Sequence, residues 1–215
     1  MHSAIVRRII RAYDDPVVRA YCWVRFGILR QRFLDEIGQY LPDDGVVLDI
    51  GCGFGLFSLY YAATGPRRLL RGVDLNPRRL DQARRAATRL GLPNVGYELG
   101  DARDFKGDAE VSAAYMLDIV HHVPAPSVAP LLRALRRSLP VGGRLLVKDV
   151  DTRPAPKRWF TWILDRAMAP TAPVHYWSAP ALTDALVEAG FAVRRHLMVD
   201  VLPYPHVLYI CEARP

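Results

Sequence analysis

Val46-Val47-Leu48-Asp49-Ile50-Gly51-Cys52-Gly53-Phe54-Gly55 is a short apolar run that gives way to three alternating glycines. The run from Val46 to Ile50 has the length and the β-branched content of a buried strand. Glycines at 51, 53 and 55 let the chain turn sharply and bring bare backbone against a ligand that side chains would hold away. A helix is expected from Phe54 to Ala63, so the stretch reads as strand, turn, helix. In open α/β sheets ligands bind beyond the carboxyl ends of the strands, where strand order reverses. This turn is the candidate for that place.

The same rhythm continues outward. Leu69 to Val73 reads as a second strand, and Asn76 caps a helix that has Pro77 at its first position and ends before Gly91. Val95 to Leu99, Val111 to Met116 and Arg144 to Val150 read as three further strands. Strand–helix alternation of this kind implies parallel strands joined by right-handed crossovers. Towards the end, Ser178 caps a helix that stops at Gly190. Phe191 to Val199 and His206 to Ala213, joined by a Pro-Tyr-Pro link, fit an antiparallel hairpin. The expected fold is a doubly wound, mostly parallel seven-stranded α/β sheet of Rossmann-like type, with a C-terminal antiparallel hairpin and N-terminal helices. Residues 3 to 39 read as two helices broken near Asp15-Pro16, the first basic and amphipathic. The expected division is a helical cover over 1–40 and a Rossmann-like domain over 41–215 with an insert at 152–178.

Composition sets outer bounds. With 51% hydrophobic and 24% charged residues, the chain has the balance of a folded protein, not a disordered one. No stretch approaches the roughly 20 apolar residues of a membrane span. No apolar core with a small-residue cleavage site is read near the N-terminus. Three scattered cysteines, Cys22, Cys52 and Cys211, suit a reducing compartment and exclude a Cys-based zinc module. A cytoplasmic location is expected, with peripheral contact at the inner membrane surface left open. The net charge of +7 comes almost entirely from arginine. Eight arginines between Arg67 and Arg89 lack interleaved aromatics and read as a solvated helix face sooner than as a nucleic-acid patch.

The chemistry sits at the strand ends. Asp74 follows Asp49 by 25 residues, and a carboxylate there can accept two hydrogen bonds from a ribose diol. A dinucleotide fingerprint would need glycine at 56, where Leu56 stands. A pyrophosphate would also sit badly beside Asp49, whereas a cationic ligand would tolerate it. Gly100-Asp101-Ala102 places a further carboxylate after the third strand.

Taken in order, Asp49 to Gly55, Gly72-Val73-Asp74-Leu75, Gly100-Asp101-Ala102, Leu117-Asp118-Ile119-Val120-His121-His122 and Gly142-Gly143-Arg144 resemble the motifs of the class I S-adenosylmethionine-dependent methyltransferases. The resemblance covers about residues 40 to 213. It implies that Gly51 and Gly53 line the methionyl part of S-adenosylmethionine while Asp49 steers its ammonium group. It further implies that Asp74 holds the ribose, Leu75 packs on the adenine, and Asp101 and the amide of Ala102 meet the adenine edge. Leu117 and Asp118 would lie near the sulfonium.

His121 and His122 follow the fourth strand at the mouth of that site. Either could remove a proton from an acceptor hydroxyl, or both could be structural. Asp149 could orient a substrate or simply pair with Lys148. Lys157 to Leu164, with Trp159, Phe160 and Trp162, could form a lid over an apolar acceptor, a membrane anchor, a dimer contact or ordinary packing. No metal-ligand cluster stands out and no metal is expected. The expected function is methylation of a small or lipid-like apolar acceptor, with the N-terminal helices and residues 152–178 as its cover. Two alternatives are a tRNA or rRNA methyltransferase and a non-catalytic S-adenosylmethionine-binding protein. Against the first, Leu117-Asp118-Ile119-Val120 replaces the Asn/Asp-Pro-Pro-aromatic motif of base-amino methylases. The oligomeric state is not readable.

Overall fold

The opening run forms β1 (Gly45–Ile50), buried from Val46 onward. The helix after it starts two residues later than its apolar content suggests. Gly55 takes a left-handed conformation, φ 76°, so α4 spans Leu56–Thr64. The computed structural model describes residues 3–107, 111–152, 174–197 and 206–215.

Seven strands form one sheet in the order β3-β2-β1-β4-β5-β7-β6, with β2 at Arg68–Asp74, β3 at Val95–Leu99, β4 at Val111–Leu117, β5 at Arg144–Val150, β6 at Phe191–Leu197 and β7 at His206–Ala213. β1 pairs in parallel with β2 and β4, and β2 with β3. β7 runs antiparallel to both β5 and β6, as the hairpin reading expects. Strand order therefore reverses at β1 and β4, directly at the glycine turn. The expected Pro-Tyr-Pro link and residues 198–199 lie outside the described residues.

The chain divides into two units, residues 1–102 with 110–115 and residues 103–109 with 116–215. In the first, three helices precede the sheet: α1 (Ala4–Ala12), α2 (Pro16–Ile28) and α3 (Gln31–Gly38). Asp15 caps α2 by accepting from the Val17 and Val18 amides, and Pro16 needs no partner at the first position. The second break, at Leu29-Arg30, replaces the single long helix expected after Asp15. Leu29 leaves helical geometry with its side chain fully buried. That turn lets Phe33, Leu34 and Ile37 of α3 reach the core along a different line from Val18, Cys22 and Phe26 of α2. Tertiary burial, about 1.5–3 kcal/mol for each large apolar side chain, outweighs local propensity here.

The apolar face of α1 (Val6, Ile9, Ile10) is buried against α4 and α5 (Pro77–Leu90). Arg89 of α5 donates to the Ala12 carbonyl at 2.7 Å, and Arg85 and Arg89 both pair with Asp14. Arg84 donates to the Tyr97 carbonyl. Three arginines of the basic run thus tie the first unit together. Asn76 and Gly91 cap α5 as their residue types suggest, Gly91 at φ 65°.

In the second unit Leu145, Leu146 and Val147 of β5 are fully buried. α6 (Ala125–Ser138) and α7 (Ala179–Glu188) belong to this unit, and Leu182 and Leu186 form the buried face of α7, which packs on β6. Ser178 caps α7 by accepting from the Ala181 amide. No helix among the described residues is long and apolar enough to cross a membrane.

Candidate active site

In the first unit the parallel strands bring three chain segments to one carboxyl edge. The Gly51 and Cys52 amides donate to the Val73 carbonyl, and the Gly100 amide donates to the Asp74 carbonyl. The glycine turn, the end of β2 and the start of the Gly100-Asp101-Ala102 segment are therefore knitted together. Asp74 is the centre of the arrangement. Its Oδ2 accepts from the Gly53 amide and its Oδ1 from the Asn76 amide, each at 2.9 Å. Asp74 is thus a turn residue, but a carboxylate offers about four acceptor directions, and two remain for a diol.

The backbone itself makes room for a ligand. Gly53 has φ +56°, and a Cβ there would meet nothing within 4 Å. Gly55, at φ +76°, is different, because a Cβ there would run into the Tyr97 hydroxyl. One glycine leaves open space and the other allows close packing. Leu75 beside Asp74 is 64% exposed, an apolar surface of the kind an adenine ring would cover. Ala102 opens a short helical turn at Ala102–Asp104.

Asp49 lies behind this edge. Its Oδ2 accepts from Ser58 Oγ at 2.5 Å and from the Tyr115 hydroxyl at 2.9 Å. Burial pushes its carboxyl up to about 7; the two hydroxyls oppose that push and nearby Asp74 adds to it. A cation arriving at the turn would draw the proton off. Burial, with Asp49 and Asp74 adding to it, also pushes the Cys52 thiol well up, which keeps it protonated and suits a packing role. Taken together, bare backbone with space before it, a half-used carboxylate, an exposed apolar side chain and a buried acid fit an adenosyl sulfonium compound.

Two residues that the sequence does not single out hold the turn from the N-terminal side. The Tyr13 hydroxyl donates to the Phe54 carbonyl at 2.8 Å. The Phe54 ring lies 5.4 Å from that of Tyr21, with the Arg79 guanidinium 5.6 Å from its centre.

The second unit holds Leu117, Asp118, His121, His122 and Asp149. His121 and Asp149 meet closely: the ring Nδ1 lies 2.5 Å from Asp149 Oδ1, and the His121 amide donates to Asp149 Oδ2 at 3.0 Å. A carboxylate on Nδ1 fixes the proton there and makes Nε2 the basic nitrogen. The His122 ring is 4.1 Å from that of His121, and Tyr176 stacks on His121 at 5.6 Å. The His175 amide donates to the His121 carbonyl, so His175-Tyr176-Trp177 lies against the dyad.

Lys148 does not pair with Asp149. Consecutive strand residues face opposite sides, and the Lys148 ammonium instead reaches Asp118 Oδ1 at 2.5 Å and His206 Nε2 at 3.0 Å. Asp118 is the only non-glycine residue with positive φ, 59°, among the described residues. Lys148 pins that strained backbone twice, since its carbonyl also accepts from the Asp118 amide. His206 was not a candidate. Its signal, a histidine opening a largely apolar strand, is weak. Lys157 to Leu164, with the expected lid, lie outside the described residues. Among the described residues no group of three or more His, Cys, Asp or Glu is placed to hold a metal.

Comparison with known proteins bears on the motif resemblance. Residues 47–143 match the methyltransferase domain. That match agrees with the class I methyltransferase motifs read along the chain. The motif resemblance is thereby borne out. Among curated relatives, a ubiquinone biosynthesis O-methyltransferase of Xylella fastidiosa (strain 9a5c) is 32% identical over 121 residues, covering 55% of this chain and 47% of that one. An S-adenosyl-L-methionine-dependent Diels-Alderase of Talaromyces variabilis is 32% identical over 119 residues, covering 53% and 39%. The chain thus spans about half the length, or less, of these curated relatives. Among solved structures, the S-adenosylmethionine-dependent methyltransferase SibL superposes with a TM-score of 0.70 at 21% identity, covering 93% of this chain and 58% of that one. That likeness shows the Rossmann-like methyltransferase fold.

Proposed function

We propose that the chain transfers the methyl group of S-adenosylmethionine to a hydroxyl of a small or lipid-like apolar acceptor. When bound, the cofactor supplies a methyl group on a positively charged sulfur, which an oxygen nucleophile can displace. Gly51 and Gly53 would line its methionyl part, Asp49 would balance its ammonium group, and Asp74 and Leu75 would hold ribose and adenine. Asp101, the Ala102 amide, Leu117 and Asp118 complete the cofactor-holding set.

The observation that carries the acceptor class is the grip of Asp149 on His121. It orients the imidazole and fixes its tautomer, so that Nε2 can take the proton of an acceptor hydroxyl as the oxygen attacks. Such a base is worth about 10²–10⁴ in rate. His121 takes this role ahead of His122, because Asp149 orients His121. The apolar, aromatic character of the acceptor rests on Tyr176 stacked against the dyad and on the similarity to the Xylella ubiquinone biosynthesis O-methyltransferase. A lipid-like acceptor also agrees with peripheral contact at an anionic membrane, though not through α1, whose apolar face is buried.

The test is turnover of a panel of catechols and phenols, read as S-adenosylhomocysteine by mass spectrometry. His121→Ala is expected to lower turnover at least a hundredfold while cofactor affinity stays within twofold. Equal turnover in the variant would remove the base, and with it the hydroxyl acceptor.

A further inference from the structure

Most surface helices of this chain hide their apolar residues and show arginine to solvent, as α1 does with Arg7, Arg8 and Arg11. α2 does not. Val18, Cys22 and Phe26 form its buried line. At 100° per residue, the opposite line is Val17, Ala20, Val24 and Gly27, with Trp23 beside it. Val17 is 75%, Trp23 61% and Val24 50% exposed. The only charged residues of α2, Arg19 and Arg25, fall on the two flanks, between the buried line and the exposed one.

We propose that the outward face of α2 docks on an anionic lipid surface. The surrounding charge selects the partner: residues 3–40 carry seven arginines against Asp14, Asp15, Asp35 and Glu36. An apolar line flanked by guanidinium groups, with a tryptophan at its edge, matches the headgroup boundary of an anionic bilayer. A second copy of the chain matches it less well. A 13-residue helix is about 20 Å long and about 10 Å wide. Its footprint, on the order of 200 Å², falls well below the roughly 800 Å² per partner of a stable interface, and self-pairing would add arginine to arginine. This assignment gives the membrane contact named above a surface, and it does not depend on methyl transfer.

The experiment is flotation of the full chain with phosphatidylcholine vesicles and with vesicles containing one-third phosphatidylglycerol, comparing wild type with V17S/W23S/V24S. Wild type should float with the anionic vesicles only, and the variant should partition at least tenfold less. Its melting temperature and S-adenosylmethionine affinity should be unchanged. Wild type remaining at the bottom with anionic vesicles, or the variant floating equally, would overturn the proposal. So would a concentration-dependent dimer in light scattering that the variant abolishes, which would assign the face to a second copy. Failure of cofactor binding in wild type, with flotation intact, would count against the methyltransferase reading and leave this one standing.

Discussion

In the first unit, among the described residues, Asp49 and Asp74 take hydrogen bonds from neutral donors, the Ser58 and Tyr115 hydroxyls and the Gly53 and Asn76 amides. In the second, Asp118 is met by the Lys148 ammonium and Asp149 by the His121 imidazole. Burial without a counter-charge raises the Asp49 carboxyl, so that it holds a proton until a cation arrives. The first unit is therefore built to receive positive charge from outside. The second supplies its own cation to Asp118, and at Asp149 it orients a neutral imidazole that can take up a proton.

The largest expected effect tests the self-balanced side. Lys148→Met removes a fully buried ammonium and leaves Asp118, 16% exposed, without its partner. Breaking a buried pair costs about 3 kcal/mol, read as a lowered denaturation midpoint. The charge-free pair D118N/K148M should recover part of that loss. No recovery would mean that Lys148 serves packing and not the pair.

The second effect tests the cation-receptive side through pH. The Asp49 carboxyl sits near 7 when folded, against 3.8 for the free group. Folded protein therefore holds a proton that the unfolded chain has lost, and stability falls as pH rises from about 4 to about 7. Asp49→Asn should flatten that slope and stabilise the cofactor-free protein at pH 8 by about 1–2 kcal/mol. The same variant should bind S-adenosylmethionine about tenfold more weakly. Wild-type affinity should rise as pH climbs through 7. A variant less stable at pH 8, with cofactor affinity unchanged, would make Asp49 purely structural.

Strands and caps were equally legible in the two units, with β3, β5 and β7 all at their expected bounds. Strand ends, the Asn76 and Gly91 caps and the glycine turn all follow from local residue types, so β1 to β3 and Asp74 could be placed within a residue or two. Contacts between distant segments have no such local signature. Tyr13 reaches Phe54 across 41 positions, and Leu29 ends a helix by being buried, with no proline or glycine at the break itself. Of the two roles open to Asp149, period-two alternation along β5 already argues against pairing with Lys148. The left-handed Asp118 was not readable, because aspartate tolerates that conformation without demanding it.

The smallest effect concerns Tyr13. Tyr13→Phe deletes one hydrogen bond to the turn, worth about 1 kcal/mol, and should weaken cofactor binding roughly fivefold without altering turnover at saturation. An unchanged affinity would show that the turn holds its shape without the N-terminal segment.

Titration calorimetry of S-adenosylmethionine into wild type and Asp74→Ala, at pH 8, bears most directly on the cofactor site built around the Asp74 carboxylate. One saturable site is expected in wild type, weakened about a hundredfold in the variant, which is about 2.7 kcal/mol. Absence of heat in wild type, or equal affinity in the two proteins, would contradict it.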